Sequence, residues 1–395
     1  MRRDEKLLNI LYLSAVPFKI KNATIYTDLM EILVKFGDKV TVICIDSELR
    51  PFQISFTEES GIKILNFGSL PIYNINFIKK GIGILSLPLF ISRAIKKLDL
   101  KKFDVVLYET PPITWASIIQ KLKNTTNIKS FLMLKDIFPQ NAVDMKLMNK
   151  NGFIHWIFKR KEKLLYKVSD YIGCMSQANI DYILKHNPEI EQKKVVYYPN
   201  TKKDCGEKKH NFEKEKLTFI YGGNMGIPQG VLNIAPAIQF FQKDKDIEFI
   251  LIGKGTEWKK IKKYFSKQDN VKVLESLPRH EYEELLTRCD AGFIFLDYRF
   301  TIPNYPSRIL AYLEKGIPII AATDKNTDIK DLVENNEVGY WSWSIDYDGL
   351  IKNIKKMKEN REKRKKFSKN ARELFLREFQ VEKSVELLHK YIKNI

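Results

Sequence analysis

The stretch DAGFIFLDYRFTIPNYPSRILAYLEKGIPIIAAT, residues 290–323, decides how this chain folds. Two near-continuous apolar runs, 291–296 and 317–322, enclose a polar and aromatic loop and a helix opening at Pro306-Ser307-Arg308. Runs without alternation are the pattern of strands buried on both faces, and one helix between two of them makes a parallel βαβ unit. Open α/β sheets hold ligands just past the carboxyl ends of their strands, where this loop must lie. The unpaired N–H groups of a helix start favour phosphate, and Arg308 adds a planar, permanently charged fork for the same anion. A structural βαβ unit with a Pro-Ser cap would use the same residues without binding anything.

Outward from this stretch, strand and helix patterns alternate in both halves. Strands are expected at 7–13, 39–45, 62–67, 104–109, 129–134 and 170–175, then at 217–221, 247–252, 270–274 and near 338–341. Helices are expected at 25–36, at 77–98 with a break at Pro88, at 152–168, and in a closing pair at 347–377 and 381–392. Residues 201–216 are polar, charged and aperiodic, and read as a linker. A chain of 395 residues exceeds one ordinary core. The predicted fold is α/β, two doubly wound Rossmann-like domains facing a central cleft: residues 1–200, the linker 201–216, then 217–377. Residues 378–395 form a last helix expected to pack back on the first domain.

The net charge is +19, which suits nucleic acid, an anionic membrane surface or a phosphorylated substrate without choosing among them. The amino terminus superficially resembles a signal peptide, but Asp4, Glu5 and Asn9 favour a first buried strand. Cys44, Cys174, Cys205 and Cys289 lie far apart with no CxxC pair, which excludes a zinc ribbon and suits a reducing cytoplasm. The five histidines have no metal-ligand spacing. No apolar run approaches the ~20 residues of a membrane-spanning helix.

Several loops fall at expected strand ends. Gly222-Gly223-Asn224-Met225-Gly226 would let backbone N–H groups approach a phosphate, and Gly253-Lys254-Gly255 sits at the next strand end. Each is weak alone, because a plain strand-to-helix turn looks the same. In the first half, Lys135-Asp136-Ile137-Phe138-Pro139-Gln140-Asn141 and Tyr108-Glu109-Thr110 reach one sheet edge. Asp136 could orient or deprotonate a substrate hydroxyl there, or merely cap the next helix. The 152–168 helix interleaves Phe153, Trp156, Ile157, Leu164 and Leu165 with Lys159, Arg160, Lys161 and Lys163. With 77–89 it is expected to dip into an anionic membrane interface while lysine stems snorkel; a packed helix with a solvated basic face is the plainer reading. The basic run 352–377 has few aromatics and reads as a solvated face.

The segments YGGNMGIPQG, LIGKGTE and CDAGFIFLDYRFTIPNYPSRILAYLEKGIPIIAATD resemble the GT-B glycosyltransferases. Together with IYTDLMEILVKFGDKVTVI, YETPPITWASII, KDIFPQNAVD and SDYIGCMSQANIDYILKHNPEI they are most similar to glycosyltransferase family 4, in its capsule, O-antigen and colanic-acid branch. The resemblance spans essentially the whole chain. It implies a retaining transferase that moves a sugar from a UDP-sugar donor to a saccharide on undecaprenyl diphosphate at the inner face of the cell membrane. It further implies no cofactor and no metal, with the donor bound by the second domain and the acceptor by the first. N-acetylated hexosamines and their 6-deoxy forms are the expected sugars, and no nucleic-acid partner is expected.

Acceptor binding is expected of Lys135, Asp136, Gln140, Asn141 and Glu109 from their place at the sheet edge, and the resemblance implies that Asp136 lies near the acceptor hydroxyl. The basic helix, through Trp156, Phe158, Lys159, Arg160 and Lys163, would dock on anionic lipid. The donor site departs from the family pattern. Its usual Arg and Lys, five apart, fall at Asn224 and Gln229, and its two glutamates, eight apart, fall at Pro303 and Ala311. Arg308 is therefore expected to take over the donor diphosphate as a catalytic cation, helped by Arg299 or Lys254. Glu314 or Asp297 is expected on the ribose, with Gly223, Pro306 and Ser307 shaping the pocket. Two other readings remain open: a UDP-sugar 2-epimerase of the same fold, and a non-catalytic basic membrane- or nucleic-acid-binding protein.

Overall fold

A computed structural model describes residues 7–71 and 77–393; Asp4 and Glu5 lie outside them. The chain divides into two compact units, one built from residues up to Pro199 together with those from Val381, the other from Asn200–Gln380.

The first unit is a sheet of eight strands: β1 (Asn9–Ser14), β2 (Lys39–Ile45), β3 (Ile54–Glu59), β4 (Ile62–Phe67), β5 (Val105–Glu109), β6 (Lys129–Leu134), β7 (Tyr171–Cys174) and β8 (Val195–Tyr197). Their order is β3-β4-β2-β1-β5-β6-β7-β8. Only β3 runs antiparallel, paired with β4. The sequence pattern passes over β3 because its residues are half-buried or exposed and carry no apolar run. Helices α1 (Ile25–Lys35), α2 (Phe77–Ile95), α3 (Ala116–Thr125), α4 (Gln140–Asp144), α5 (Phe153–Val168) and α6 (Gln177–His186) connect the strands. A reciprocal box between Thr24 and Thr27 starts α1. Pro88 does not end α2, which runs through it as one helix.

The second unit is a parallel sheet of β9 (Leu217–Asn224), β10 (Ile247–Lys254), β11 (Val271–Leu274), β12 (Ala291–Phe295), β13 (Ile319–Thr323) and β14 (Gly339–Trp343). Their order is β11-β10-β9-β12-β13-β14. The apolar runs of 290–323 become β12 and β13, paired in parallel with Gly292 opposite Ile319. Every residue of both strands is buried, as unalternating runs require. Helices α7 (Val231–Gln239), α8 (Trp258–Tyr264), α9 (Arg279–Leu286), α10 (Ile309–Glu314), α11 (Ile329–Asn335), α12 (Tyr347–Glu359) and α13 (Arg361–Leu374) complete it. The single helix expected over 347–377 is split where Asn360 caps α13 by accepting from Lys363 N.

Residues 201–216 are packed into the second unit rather than left free. Lys202 and Lys208 are buried, and Arg372 grips Asp204 with two hydrogen bonds of 2.8 and 2.7 Å. Lys202 also makes a β-bridge with Gln380. Charge density made this stretch look like a linker, yet Lys202 is buried against Glu283 and Glu314 and Lys208 against Cys289 O. The last helix, α14 (Val381–Lys393), lies in the first unit. Val381, Val385 and Leu388 join that unit's core, and His389 Nε2 lies 2.7 Å from Asp38 Oδ2.

Candidate functional site

In the second unit the carboxyl ends of β9, β10 and β12 gather most of the residues singled out in the sequence. The glycine turn follows β9, and Gly223 stands beside Gly253 while Asn224 stands beside the exposed Lys254. Gly223 has φ +142°, and a Cβ there would come 3.2 Å from the guanidinium carbon of Arg308. The backbone there favours glycine, and the missing side chain leaves room for the close approach of Arg308. The Gln229 side chain closes the turn by accepting from Gly226 N at 3.3 Å.

Arg308 is the N-cap residue of α10, so the helix begins one residue later than Pro306-Ser307-Arg308 suggests. Its guanidinium lies 4.5 Å over the ring of Tyr221. Its Nη1 is buried without a hydrogen-bond partner among the described residues. Tyr221 donates to Asn224 O at 2.6 Å, and the Tyr312 hydroxyl joins Gly222 N to Ile220 O. Burial pushes the Tyr221 hydroxyl up, while the nearby Arg308 opposes this. These tyrosines were not singled out in the sequence. Tyr221 and Tyr312 are 91 positions apart and meet only because α10 returns to the end of β9.

The other expected donor residues are engaged elsewhere. Asp297 and Arg299 face each other, Nε to Oδ1 at 2.7 Å and Nη2 to Oδ2 at 2.8 Å, and Asn233 adds a bond to Oδ2 at 3.0 Å. Burial alone would raise the Asp297 carboxyl, but its bonds from Arg299 outweigh this and hold it below the usual range. Each neutralises the other, so Arg299 is not a spare cation and Asp297 is not a spare acceptor. Glu314 is fully buried and bound to Lys202 Nζ and to Cys205 N, the latter at 2.6 Å. Both its oxygens are thus committed to the 202–205 segment. Pro306 and Ser307 remain in the loop before α10, with Ser307 exposed.

In the first unit Glu109 ends β5, and Lys135 and Asp136 follow β6, its neighbour. Thr110 Oγ1 accepts from Lys135 N at 3.0 Å and Asp136 N at 3.2 Å and donates to Asp136 O at 3.0 Å, pinning the turn. Thr110 was expected at this edge within Tyr108-Glu109-Thr110, but without this role. Burial raises the Asp136 carboxyl to about 6, against the opposing bonds of Ile137 N and Asn141. Asn141 Nδ2 donates to Asp136 Oδ2 at 2.6 Å, whereas Gln140 turns to Asp144 at 2.7 Å. Burial pushes Glu109 up to about 8, although Tyr12 and Lys135 oppose it. Burial brings Lys135 down to about 7, with Glu109 pulling the other way. The Lys135 ammonium lies 5.7 Å over the Tyr198 ring.

Along α5, Phe153, Ile154 and Trp156 are 73%, 54% and 52% exposed. Phe153 and Trp156 stack, and Arg160 covers the indole at 4.8 Å. Phe158 packs inward on Phe138, Lys159 pairs with Glu162, and Lys163 pairs with Glu189. Leu85 and Leu89 of α2 are also exposed, 46% and 67%. Both helices pack on the short turn Ile113–Trp115. Among the described residues no helix is long and apolar enough to cross a membrane.

Two α/β units of this strand order have solved counterparts. Sucrose-phosphate synthase from Thermosynechococcus elongatus superposes with a TM-score of 0.77 at 14% identity, over 98% of both chains. Anabaena HepE in complex with UDP and glucose gives 0.71 at 15% identity, over 98% of this chain and 100% of that one. The fold is therefore the GT-B fold of glycosyltransferases. Residues 203–374, nearly the whole second unit, match the family described as glycosyl transferases group 1. Among curated proteins, the chain is 23% identical over 251 residues to a probable glycosyltransferase, WbjE, of Pseudomonas aeruginosa. That match covers 61% of this chain and 62% of WbjE. An uncharacterized glycosyltransferase of Methanocaldococcus jannaschii is 23% identical over 253 residues, 62% of this chain and 64% of that protein.

Proposed function

We propose that this protein is a retaining glycosyltransferase that takes a sugar from a UDP-sugar and adds it to a lipid-diphosphate-linked saccharide during capsule or O-antigen assembly. The sugar is an N-acetylated hexosamine or 6-deoxyhexosamine. One observation carries the donor half of this reading: the Arg308 guanidinium, with Nη1 unpartnered, held against Gly223 at the end of β9. A buried donor without an acceptor is costly, and a diphosphate oxygen would satisfy it. The diphosphate is also the leaving group, so a fixed cation there stabilises charge that grows in the transition state. The group 1 match over this unit, and the UDP held by HepE, support the same reading.

The acceptor half rests on Asp136, whose raised carboxyl is suited to accept a proton near neutral pH or to orient the acceptor hydroxyl. The exposed Phe153, Ile154 and Trp156 with Arg160 give α5 a face for anionic lipid, which a lipid-borne acceptor requires. No step in this scheme uses a cofactor or metal. The test is product analysis with a panel of UDP-sugars and an undecaprenyl-diphosphate saccharide. The expected result is UDP release matched by a one-sugar mass gain on the lipid. Conversion of the UDP-sugar to its 2-epimer with no acceptor present would overturn the transferase reading in favour of an epimerase.

A further inference from the structure

Far out on the second sheet, past β13, strand β14 forms the open edge. Helices α11 and α12 pack against it, and between them lies an open groove of about 600 Å³, a volume typical of small-ligand sites. None of its lining residues belongs to the donor or acceptor candidates. Its floor carries Tyr340, Trp341 and Trp343, and its rim carries Lys325, Lys330, Lys352 and Lys356. Three of these lysines sit over rings: Lys325 on Trp343 at 4.2 Å, Lys330 on Trp341 at 5.1 Å and Lys356 on Tyr340 at 5.6 Å.

Two features set this apart from an ordinary basic surface. Some surface lysines elsewhere find carboxylates, as Lys358 does with Asp244 and Asp246 and Lys366 with Glu337. Among the described residues none of the four groove lysines is ion-paired, although Glu334 and Asp346 line the same groove. Asp346 is occupied as the cap of α12, accepting from Gly349 N at 2.9 Å. The aromatic floor is also fixed in place, because Trp341 Nε1 donates to Thr323 Oγ1 at 2.9 Å. A rigid aromatic floor loses little entropy when it binds.

We infer that this groove is a second binding site, for a carboxylated saccharide chain whose acid groups pair with the lysines and whose ring C–H faces lie on the indoles. The choice of a saccharide over other polyanions rests on the transferase reading above. A second copy of the chain is a poor occupant, since two lysine-lined edges repel. A membrane is a poor one as well, because these indoles are half-buried in a concavity, whereas Trp156 protrudes.

The experiment is titration of the full chain with hexagalacturonate, uncharged maltohexaose and oligo-dT, read by tryptophan fluorescence and calorimetry. Hexagalacturonate should bind, maltohexaose at least roughly tenfold more weakly, and added salt should weaken the acidic ligand. The K330E/K352E variant should bind hexagalacturonate roughly tenfold or more weakly while melting near the wild-type temperature. W343A provides an independent variant with the same expected loss. UDP protection against unfolding is read in parallel. Hexagalacturonate binding lost in the variants while UDP fails to protect even the wild type would sink the donor reading and leave the groove standing. Failure of the wild type to bind hexagalacturonate, unchanged binding in K330E/K352E and W343A, or tighter groove-dependent binding of oligo-dT would each overturn the proposal.

Discussion

A carboxyl buried at a sheet edge, with a neutral amide in place of a cation beside it, keeps its proton to higher pH than it would in water. Asp136 is in that position, raised to about 6 with Asn141 against it. If it accepts the acceptor's proton, kcat/KM for the acceptor falls as pH drops below about 6, and D136N loses that limb along with on the order of 10²–10⁴ in kcat. A D136N enzyme with wild-type turnover would remove the role. Glu109 makes a separate prediction about stability. Between its unfolded value near 4.5 and its folded value of about 8, the folded state holds a proton the unfolded chain has lost. Stability must therefore fall as pH rises through that window, by about 1.4 kcal/mol per pH unit at most. Lys135, lowered to about 7, acts in the opposite sense only above that pH. Urea unfolding of E109Q between about pH 5 and 7 should show a flatter slope than wild type. Single residues were legible where position after a strand was enough, as with Arg308, Asp136 and Gly223. Partnerships were not: Glu314 is bound to a lysine 112 positions away, and the Asp297–Arg299 pair depends on a loop conformation that spacing does not specify.

At the scale of elements, unalternating apolar runs identified β12 and β13 because burial on both faces leaves no room for polar residues. The same logic missed β3, a half-exposed antiparallel edge, and put a break at Pro88 where α2 runs on unbroken. It also made a linker of 201–216, since buried lysines look like solvated ones until their carboxylates are located. For α5, periodicity found the basic amphipathic face but not its division of labour. Phe158 and the ion-paired Lys159 and Lys163 hold the helix within its unit, while Phe153, Ile154, Trp156 and Arg160 are left to the outside. Replacing Phe153 and Trp156 with Ser should weaken binding to phosphatidylglycerol vesicles, read by sedimentation, roughly a hundredfold or more, since each large apolar side chain buried contributes about 1.5–3 kcal/mol. Far-UV dichroism should be unchanged. Wild-type binding to phosphatidylcholine alone should be weak, and vesicle binding indifferent to both substitutions would remove α5 from the interface.

For the molecule as a whole, a net charge of +19 is spent in several ways. Some lysines are buried in ion pairs, some edge the α5 face, and four line the groove beside β14 without carboxylate partners. The charge total alone could not separate these uses, nor choose among nucleic acid, lipid and phosphorylated substrate. The two-sheet α/β organisation was legible because strand-helix alternation persists through both halves. The candidate donor site was legible only as a sheet edge, since the positions where the resemblance would put Arg, Lys and two Glu hold Asn224, Gln229, Pro303 and Ala311. The central claim is that Arg308 supplies the diphosphate site those replacements vacate. It is tested most directly by thermal unfolding of wild type and R308A with UDP, GDP, ADP or no nucleotide, in the absence of metal. A ligand that binds only the folded state raises the melting temperature by mass action. UDP alone should protect the wild type, and R308A should require roughly tenfold or more UDP for the same shift, as loss of a charge-assisted bond implies. Equal protection of both proteins by UDP, or no protection of the wild type, would contradict the account.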